Sequence, residues 1–383
     1  MKDISIYFTS IESPAVNSGD IGEVVETYSN DFPDIKNGGI AMFYVPEHRG
    51  LGLENKTEIE SNFRKFFYAL KKHTNDKPLY DLGNLLPGES IQDTYFALAN
   101  VVEELVKNNV LPVIVGGGQD LTYAQYTAYE RLEQTINITA IDPKFDLGTP
   151  DGKLTTDDFL SQIIAHKPCY LFNYSNIGYQ TYLIDAEQRD LFQKMYFDLH
   201  RLGEVNQDIT ITEPILRNTD ILSFDMTSIR ESDFQKNYHQ LPNGLYGEQA
   251  CQMARYAGIS DKLTSVGFYN YLPQNDSSGP AAHLLAQMIW FFIEGVNLRK
   301  GDFPVGNKKS YTKYRVASTD FKDEITFYKS DKSGRWWMEV PYPSNSKSKY
   351  NRHHLVPCNY SDYEKAMQDE LPDLWWQTYQ KLV

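Results

Sequence analysis

Polar side chains follow several apolar segments of this chain, each at the point where a predicted strand ends. The segments deliver Gln119 and Asp120, then Asp142, Lys144 and Asp146, then Asp225, Thr227 and Arg230, and finally Asn270. Because ligands bind beyond the carboxyl ends of parallel strands, these side chains are expected to converge at one edge of a sheet. Carboxylates buried at strand ends are costly unless cations or hydrogen-bond donors accompany them. The pattern therefore predicts a site for a small polar ligand at that edge.

The elements that must position these side chains alternate between strand and helix. Strands are predicted within Gly39–Gly50, Val110–Gly117, Ile136–Asp142, Pro168–Gly178, Tyr196–Leu202, Asp220–Ile229 and Lys262–Pro273. Helices are predicted over Lys56–His73, Ser90–Asn109, Leu121–Gln134, Ala186–Met195, Gly247–Ile259 and Gly279–Val296. Such alternation favours an α/β fold with parallel strands and right-handed crossovers, whereas residues 1–35 show no clear period.

The composition changes after about Arg299, where Lys, Ser, Tyr and Gly dominate and the alternation stops. Glu324–Tyr342 predicts two strands around a turn at Lys332–Gly334. Ser361–Leu382 predicts a helix that is interrupted at Pro372. We therefore expect a main α/β domain over residues 1–299 and a C-terminal annex over residues 300–383, a hairpin and a helix packed on that domain.

Charge and cysteine content exclude several classes of partner. The formal net charge of −14 over 383 residues argues against a nucleic-acid partner, which would require a basic face. No apolar run of membrane length and no basic-then-apolar leader is present, so no membrane partner is expected. The three cysteines lie far apart and form neither a disulfide framework nor a zinc motif. We expect a cytoplasmic protein with free thiols.

The strand-end motifs GGGQD, DPKFD, SFDMT and VGFYNYLP, in this order, resemble those of the ureohydrolase family of arginases, agmatinases and formimidoylglutamases. Family members carry Gly-Gly-(Gly or Asp)-His, Asp-Ala-His-x-Asp and Ser-x-Asp-x-Asp, followed by a Glu after the last strand. The first motif is most similar to the formimidoylglutamase form, and the resemblance extends from about Gly39 to Val296. It implies an arginase-like three-layer αβα sandwich around a mainly parallel sheet, in agreement with the alternation, and a possible homo-oligomer.

The resemblance also implies a site with two Mn²⁺ ions that activate a shared water to hydrolyse guanidino or formimino groups. Three of the implied ligands, Asp142, Asp146 and Asp225, are present. The other positions differ: Gln119 and Lys144 stand where the family has His, Thr227 where it has Asp, and Asn270 where it has the Glu that holds the substrate.

These departures affect the two implied metal sites differently. The first set, Gln119 with Asp142, Asp146 and Asp225, offers hard oxygen ligands that could hold one divalent ion. The second set includes Lys144, which has no lone pair when protonated and cannot ligate. We expect the Lys144 ammonium to lie between Asp142 and Asp225 in place of the second metal, with Arg230 as a further positive partner.

Two functions follow from these expectations. The first is a protein with a degraded manganese site and no cofactor, non-catalytic or repurposed, in which Gln119, Asp120, Lys144, Thr227, Arg230 and Asn270 are the pocket residues. The second is a hydrolase of non-peptide C–N bonds that uses a single Mn²⁺ or Mg²⁺ held by Asp142, Asp146 and Asp225.

Overall fold

The computed structural model describes residues 2–12, 15–55, 62–74, 77–148, 154–235, 239–276, 279–304, 308–317, 324–342 and 351–382. Within them, ten strands form one sheet: β1 (Phe8–Thr9), β2 (Val25–Thr27), β3 (Ile40–Val45), β4 (Leu79–Leu85), β5 (Leu111–Gly116), β6 (Ile136–Ile141), β7 (Leu171–Tyr179), β8 (Asp198–Arg201), β9 (Ile221–Asp225) and β10 (Ser265–Tyr269). The order is β1-β4-β3-β5-β10-β9-β6-β7-β8, and β2 also pairs with β4. Every pairing is parallel except that of β1 with β4, which confirms the mainly parallel sheet.

Helices cover both faces of this sheet. They are α1 (Phe63–Tyr68), α2 (Ile91–Lys107), α3 (Leu121–Arg131), α4 (Phe159–Ala165), α5 (Ala186–Lys194), α6 (Leu202–Gln207), α7 (Thr212–Arg217), α8 (Gly247–Ile259) and α9 (Pro280–Asn297). Along β3, Ile40, Met42 and Tyr44 enter the core beneath α8 and α9. Their neighbours on the strand enter the second core beneath α2 and α3. Because both faces are buried, the expected three-layer sandwich is confirmed.

The sequence pattern does not predict β4, because Asp81, Gly83 and Asn84 interrupt its apolar residues. Asp81 is fully buried at the centre of the strand. Arg64 Nε donates to Asp81 Oδ2 over 2.7 Å, and the hydroxyl of Tyr68 donates to the same oxygen over 2.5 Å. A buried carboxylate is tolerated when donors and an opposite charge accompany it, and α1 supplies both.

The helix predicted over Lys56–His73 is only partly described. Its first six residues, 56–61, lie outside the described residues, and α1 covers Phe63–Tyr68. The helix predicted from Ser90 is confirmed as α2, which begins with a capping box between Ser90 and Asp93. In the described chain, no helix is long and apolar enough to cross a membrane.

The C-terminal segment is more elaborate than the expected hairpin and helix. It contains an antiparallel sheet of β11 (Tyr311–Val316), β12 (Ile325–Ser330), β13 (Trp336–Glu339) and β14 (Leu355–Cys358), in that order, and two helices, α10 (Tyr360–Met367) and α11 (Asp373–Leu382). The predicted hairpin is β12 and β13, and Pro372 directly precedes α11, as the sequence predicts.

The annex contacts the main domain near the amino ends of the strands of the main sheet. Arg217, at the end of α7, donates to the main-chain oxygens of Trp336 and Cys358 over 2.9 and 3.1 Å. The ring of His353 stacks on Phe172 with centroids 3.9 Å apart. The annex therefore covers the edge of the sheet opposite to the edge at which the polar residues were expected.

Candidate functional site

The carboxyl ends of β5, β6, β9 and β10 bring most of the predicted site residues together. The group comprises Gln119, Asp142, Asp146, Asp225, Thr227 and Asn270, each no more than 5% exposed. Four separate loops deliver them, each directly after an apolar strand. The backbone of a parallel sheet thus places three carboxylates, two amides and a hydroxyl in one buried group.

Asn270 connects three of these strand ends. Its Nδ2 donates to Asp225 Oδ1 over 2.8 Å, while its Oδ1 accepts from the backbone N–H of Gln119 over 3.1 Å and from Thr156 Oγ1 over 3.0 Å. Its φ is +62°, the left-handed region, and its own N–H donates to Gly117 O over 2.6 Å. The Asn side chain and this backbone turn together tie β10 to β5 and β9.

Gln119 follows the glycine turn between β5 and α3. Its Nε2 donates to Ser223 Oγ over 3.1 Å, and that hydroxyl lies 2.7 Å from Thr122 Oγ1. Ser223 is a residue of β9, so the Gln119 amide links the end of β5 to β9, the strand beyond β10. The side chain that the motif presents at this turn therefore makes structural hydrogen bonds within the protein.

Thr227 binds both oxygens of the Asp225 carboxylate. Its N–H donates to Asp225 Oδ1 over 2.8 Å and its hydroxyl donates to Oδ2 over 2.5 Å. Burial raises the pKa of Asp225 to about 7, and the nearby Asp142 carboxylate adds to this increase, while the donors oppose it. Each oxygen of Asp225 thus already accepts a hydrogen bond from the protein.

Asp142 and Asp146 accept fewer hydrogen bonds than Asp225 does. Asp142 Oδ1 accepts from the backbone N–H of Lys144 over 2.7 Å. The Oδ2 atoms of Asp142 and Asp146 have no hydrogen-bond partner among the described residues. Burial raises the pKa of both carboxyls, and repulsion from Asp142 raises that of Asp146 further. Three acids this close together favour retaining a proton among them.

Lys144 does not take the expected position. Its Nζ donates to Asp157 Oδ1, and its side chain remains 34% exposed. Burial lowers the pKa of Lys144, but the attraction of Asp146 and Asp157 outweighs this effect and raises it. The prediction of an ammonium between Asp142 and Asp225 is therefore wrong, because an ion pair at the edge of the site avoids full desolvation of the lysine.

Arg230 also lies outside the group. Its Nε is 2.9 Å from Asp233 Oδ1, and its guanidinium carbon is 3.9 Å from the ring centroid of Tyr246. The expectation that Arg230 pairs with the strand-end carboxylates is therefore wrong. A carboxylate three residues further along the chain pairs with it instead, and the tyrosine ring covers the guanidinium.

Asp120 makes its contacts away from the group. The hydroxyl of Tyr95 donates to Asp120 Oδ2 over 2.6 Å, and a Cβ at Gly50 would lie 2.0 Å from Asp120 Oδ1. Burial raises the pKa of Asp120 to about 7, although the Tyr95 bond opposes the increase. Asp120 thus joins α2 to the start of α3 through Tyr95 and packs closely against Gly50.

Sequence reasoning missed Thr156, Ser223 and Asp157. Thr156 Oγ1 accepts a hydrogen bond from the Gln119 N–H over 3.0 Å, and the residue is 2% exposed. It follows no predicted strand. Ser223 was detectable, because it precedes Asp225 by two residues and therefore points to the same face of β9.

A pair of metal ions does not fit this donor set. Lys144 and Thr227 stand at two positions where the resemblance implies metal ligands, and both oxygens of Asp225 accept hydrogen bonds. Among the residues that the structure describes, no three His, Cys, Asp or Glu side chains are arranged to hold a metal. The unpaired Oδ2 atoms of Asp142 and Asp146 are the atoms that a single cation could use.

Formimidoylglutamases are among the known proteins that are similar to this chain. The formimidoylglutamase of Staphylococcus epidermidis is 24% identical over 294 residues, which cover 70% of this chain and 93% of that protein. That of Staphylococcus aureus MRSA252 is 24% identical over 270 residues, or 67% of this chain and 86% of that protein.

Solved structures show the same fold. The formimidoylglutamase of Bacillus subtilis superposes with a TM-score of 0.63 at 17% identity, over 76% of this chain and 95% of that chain. The formiminoglutamase of Trypanosoma cruzi with Mn²⁺ gives a TM-score of 0.61 at 17% identity, over 70% of this chain and 100% of that chain. The sequence model of the arginase family matches residues 54–293. Since that match spans more than half of the chain, the protein belongs to the arginase family.

Proposed function

We propose that this arginase-family protein has lost the two-metal hydrolytic centre and acts as a non-catalytic or repurposed member of the family. The proposal rests on the hydrogen bonds of Asp225, whose two carboxylate oxygens accept from Thr227 and Asn270. The resemblance implies that Asp225 would contact both metals. A metal would have to displace these donors and would leave the Asn270 and Thr227 groups without partners.

The replacements support each other chemically. An Asp at the position of Thr227 would add a charge beside Asp225, which is tolerable only next to a cation. Thr227 instead supplies a neutral donor, and Asn270 supplies a second one. Lys144 supplies a fixed positive charge near Asp146 without being able to ligate. Hydrogen-bond donors, a proton retained among the three acids and the nearby lysine together reduce the cost of burying this group without divalent ions.

A second candidate is the hydrolase of non-peptide C–N bonds that uses one divalent metal. It is favoured by the unpaired Oδ2 atoms of Asp142 and Asp146, which are buried acceptors without donors in the described chain. One Mn²⁺ or Mg²⁺ there would satisfy them, with the Asp225 carboxylate and the Gln119 amide nearby. When bound, such an ion would supply Lewis-acid chemistry.

Metal analysis of protein purified in excess Mn²⁺, together with turnover assays, separates the two functions. Formimidoylglutamate, arginine and agmatine serve as substrates. We expect less than stoichiometric metal and no turnover. One chelator-removable ion per chain with turnover, both lost in Asp146→Asn, establishes the single-metal hydrolase, and two ions with turnover overturn the main proposal. Asp157→Asn is the matched control, because it removes an exposed carboxylate that pairs with Lys144 but lies outside the buried group.

A further inference from the structure

A cavity of about 480 Å³ lies at the carboxyl ends of β7 and β8. Its walls include Gln180, Tyr182, Arg201, Arg230, Asn243 and Tyr246. The charged residues of this wall are the two arginines, and no Asp or Glu from the described chain lines it. The cavity wall thus presents guanidinium groups and no carboxylate, which suits an anionic group of a ligand.

Each arginine is held by a carboxylate that lies outside the cavity wall. Arg201 Nε donates to Glu204 Oε1 over 3.1 Å, and Arg230 Nε is 2.9 Å from Asp233 Oδ1. Their terminal guanidinium nitrogens make no hydrogen bond with the residues described. Because the guanidinium group has five donors in a planar fork, both arginines keep donors for a further partner.

The chain around Arg230 is packed to hold it in place. The N–H of Arg230 donates to Leu245 O over 3.1 Å, and a Cβ at Gly244 would lie 2.5 Å from Arg230 N, so only glycine allows this approach. The Tyr246 ring then covers the guanidinium. Across the cavity, Gln180 Nε2 donates to Asn243 O over 3.0 Å and links the β7 loop to the same segment. The wall is therefore pre-organised, which lowers the cost of binding.

We propose that this cavity binds a small molecule through an anionic oxygen group, a carboxylate or a phosphate, held jointly by Arg201 and Arg230. Charge-assisted bonds from two guanidinium groups suit such oxygens, and the cavity has the size of a small-ligand site. The tyrosine rings of Tyr182 and Tyr246 provide surface for the rest of the ligand.

This site goes beyond the function proposed above and does not depend on whether the carboxylate group holds a metal. Asp142 and Asp225 are no more than 2% exposed, and the backbone bond from Gln180 N to Pro143 O, 3.0 Å long, lies between the β7 loop and the Asp142 segment. A ligand in the cavity therefore meets arginines and amides, not the buried carboxylates.

The test is calorimetric titration of the full chain with L-glutamate and, separately, inorganic phosphate, at constant ionic strength. We expect one of the two anions to bind at one per chain, and its identity distinguishes carboxylate from phosphate. Arg201→Gln and Arg230→Gln should each weaken this binding by about tenfold or more, as loss of a charge-assisted contact implies. Arg315→Gln is the matched control, since Arg315 also pairs with a single carboxylate, Glu324, at 3.5 Å.

The proposal is overturned if neither anion saturates the protein, or if both cavity variants bind as the wild type does. Equal weakening in Arg315→Gln would show a general charge effect and would overturn it too. Arg201 is exposed at the end of β8, so Arg201→Gln is expected to fold and can still test the proposal if Arg230→Gln does not fold. The metal content of the protein is independent of all these outcomes.

Discussion

The carboxamide of Asn270 donates to the Asp225 carboxylate over 2.8 Å at the position where the family resemblance implies a glutamate. A glutamate there would place one more acid beside Asp225, whose pKa is already raised to about 7 by burial and by Asp142. The amide of Asn270 replaces this repulsion with hydrogen bonds, because its Nδ2 donates to Asp225 and its Oδ1 accepts from Gln119 N–H. Thr227 and Asn270, which both differ from the residues that the resemblance implies, therefore act on the same carboxylate.

Replacing Asn270 should destabilise the whole carboxyl edge. Asn270→Ala removes the bond to Asp225 and the acceptor shared by Gln119 and Thr156. At about 1–3 kcal/mol for each buried group left unsatisfied, we expect a loss of about 2–4 kcal/mol in the free energy of unfolding. Urea unfolding at pH 7 measures it.

Asn270→Gly is the control for backbone strain, because φ of +62° suits glycine. If hydrogen bonds dominate, both variants lose similar stability, with Ala about 0.5–1 kcal/mol worse for its strain. An Ala variant as stable as the wild type would contradict the role assigned to Asn270.

Introducing the ligands that the family resemblance implies should raise the affinity for Mn²⁺. In Gln119→His combined with Lys144→His and Thr227→Asp, two imidazoles and a carboxylate replace an amide, an ammonium and a hydroxyl. We expect calorimetry to show Mn²⁺ affinity at least about tenfold above that of the wild type, since imidazole and carboxylate are ligands that this metal accepts. Lys144→His alone is the control and should change affinity little. A triple variant with unchanged affinity would show that these positions do not match the family's ligands.

The fold was predictable because its strands are apolar and its helices amphipathic, and strand ends such as Asp142 and Asp225 could therefore be placed correctly. Strand β4 was not, since Asp81 lies in its centre and is compatible with burial only through Arg64, a residue of another element. Local patterns cannot show such a long-range pair.

The limits at the site are of the same kind. The sequence pattern placed Lys144 correctly in the loop after β6. Its long side chain, however, could turn either to the buried carboxylates or to Asp157. The balance between the desolvation cost and the ion pair decides which way the Lys144 side chain turns. That balance depends on the loop that carries Asp157, whose position no sequence motif indicates. Thr156 was missed for the same reason.

Stability should depend on pH through Asp120. Burial raises its folded-state pKa from 3.8 to about 7. Between these values the unfolded chain loses the proton first, so folded Asp120 binds more protons and stability falls as pH rises from about 4 to about 7. The fall is at most about 4 kcal/mol, at about 1.4 kcal/mol per pH unit.

Asp120→Asn isolates this contribution. Other groups titrate in the same window, so the quantity to measure is the difference in unfolding free energy between wild type and variant at pH 4, 5, 6, 7 and 8. We expect the wild type to lose stability relative to the variant up to about pH 7 and then to stay level. A difference that is independent of pH would refute a raised pKa at Asp120.

The annex should depend on Arg217, which is 3% exposed and lies with its guanidinium carbon 4.5 Å from the ring centroid of Trp337. Arg217→Met leaves the main-chain oxygens of Trp336 and Cys358 without their donor. We expect a loss of about 3–5 kcal/mol, the usual cost of removing one partner from a buried charged network. Four of the five tryptophans belong to the annex, so fluorescence-detected urea unfolding reports on it directly.

Arg315→Gln is the surface control for this prediction, because its ion pair with Glu324 is more than half exposed and should change stability by less than about 1 kcal/mol. Limited proteolysis adds the location of the effect. If Arg217 joins the annex to the main sheet, Arg217→Met should be cut after residue 299 faster than the control, while the main domain resists. Equal cleavage of both variants would show that contacts such as His353 on Phe172 hold the annex without Arg217.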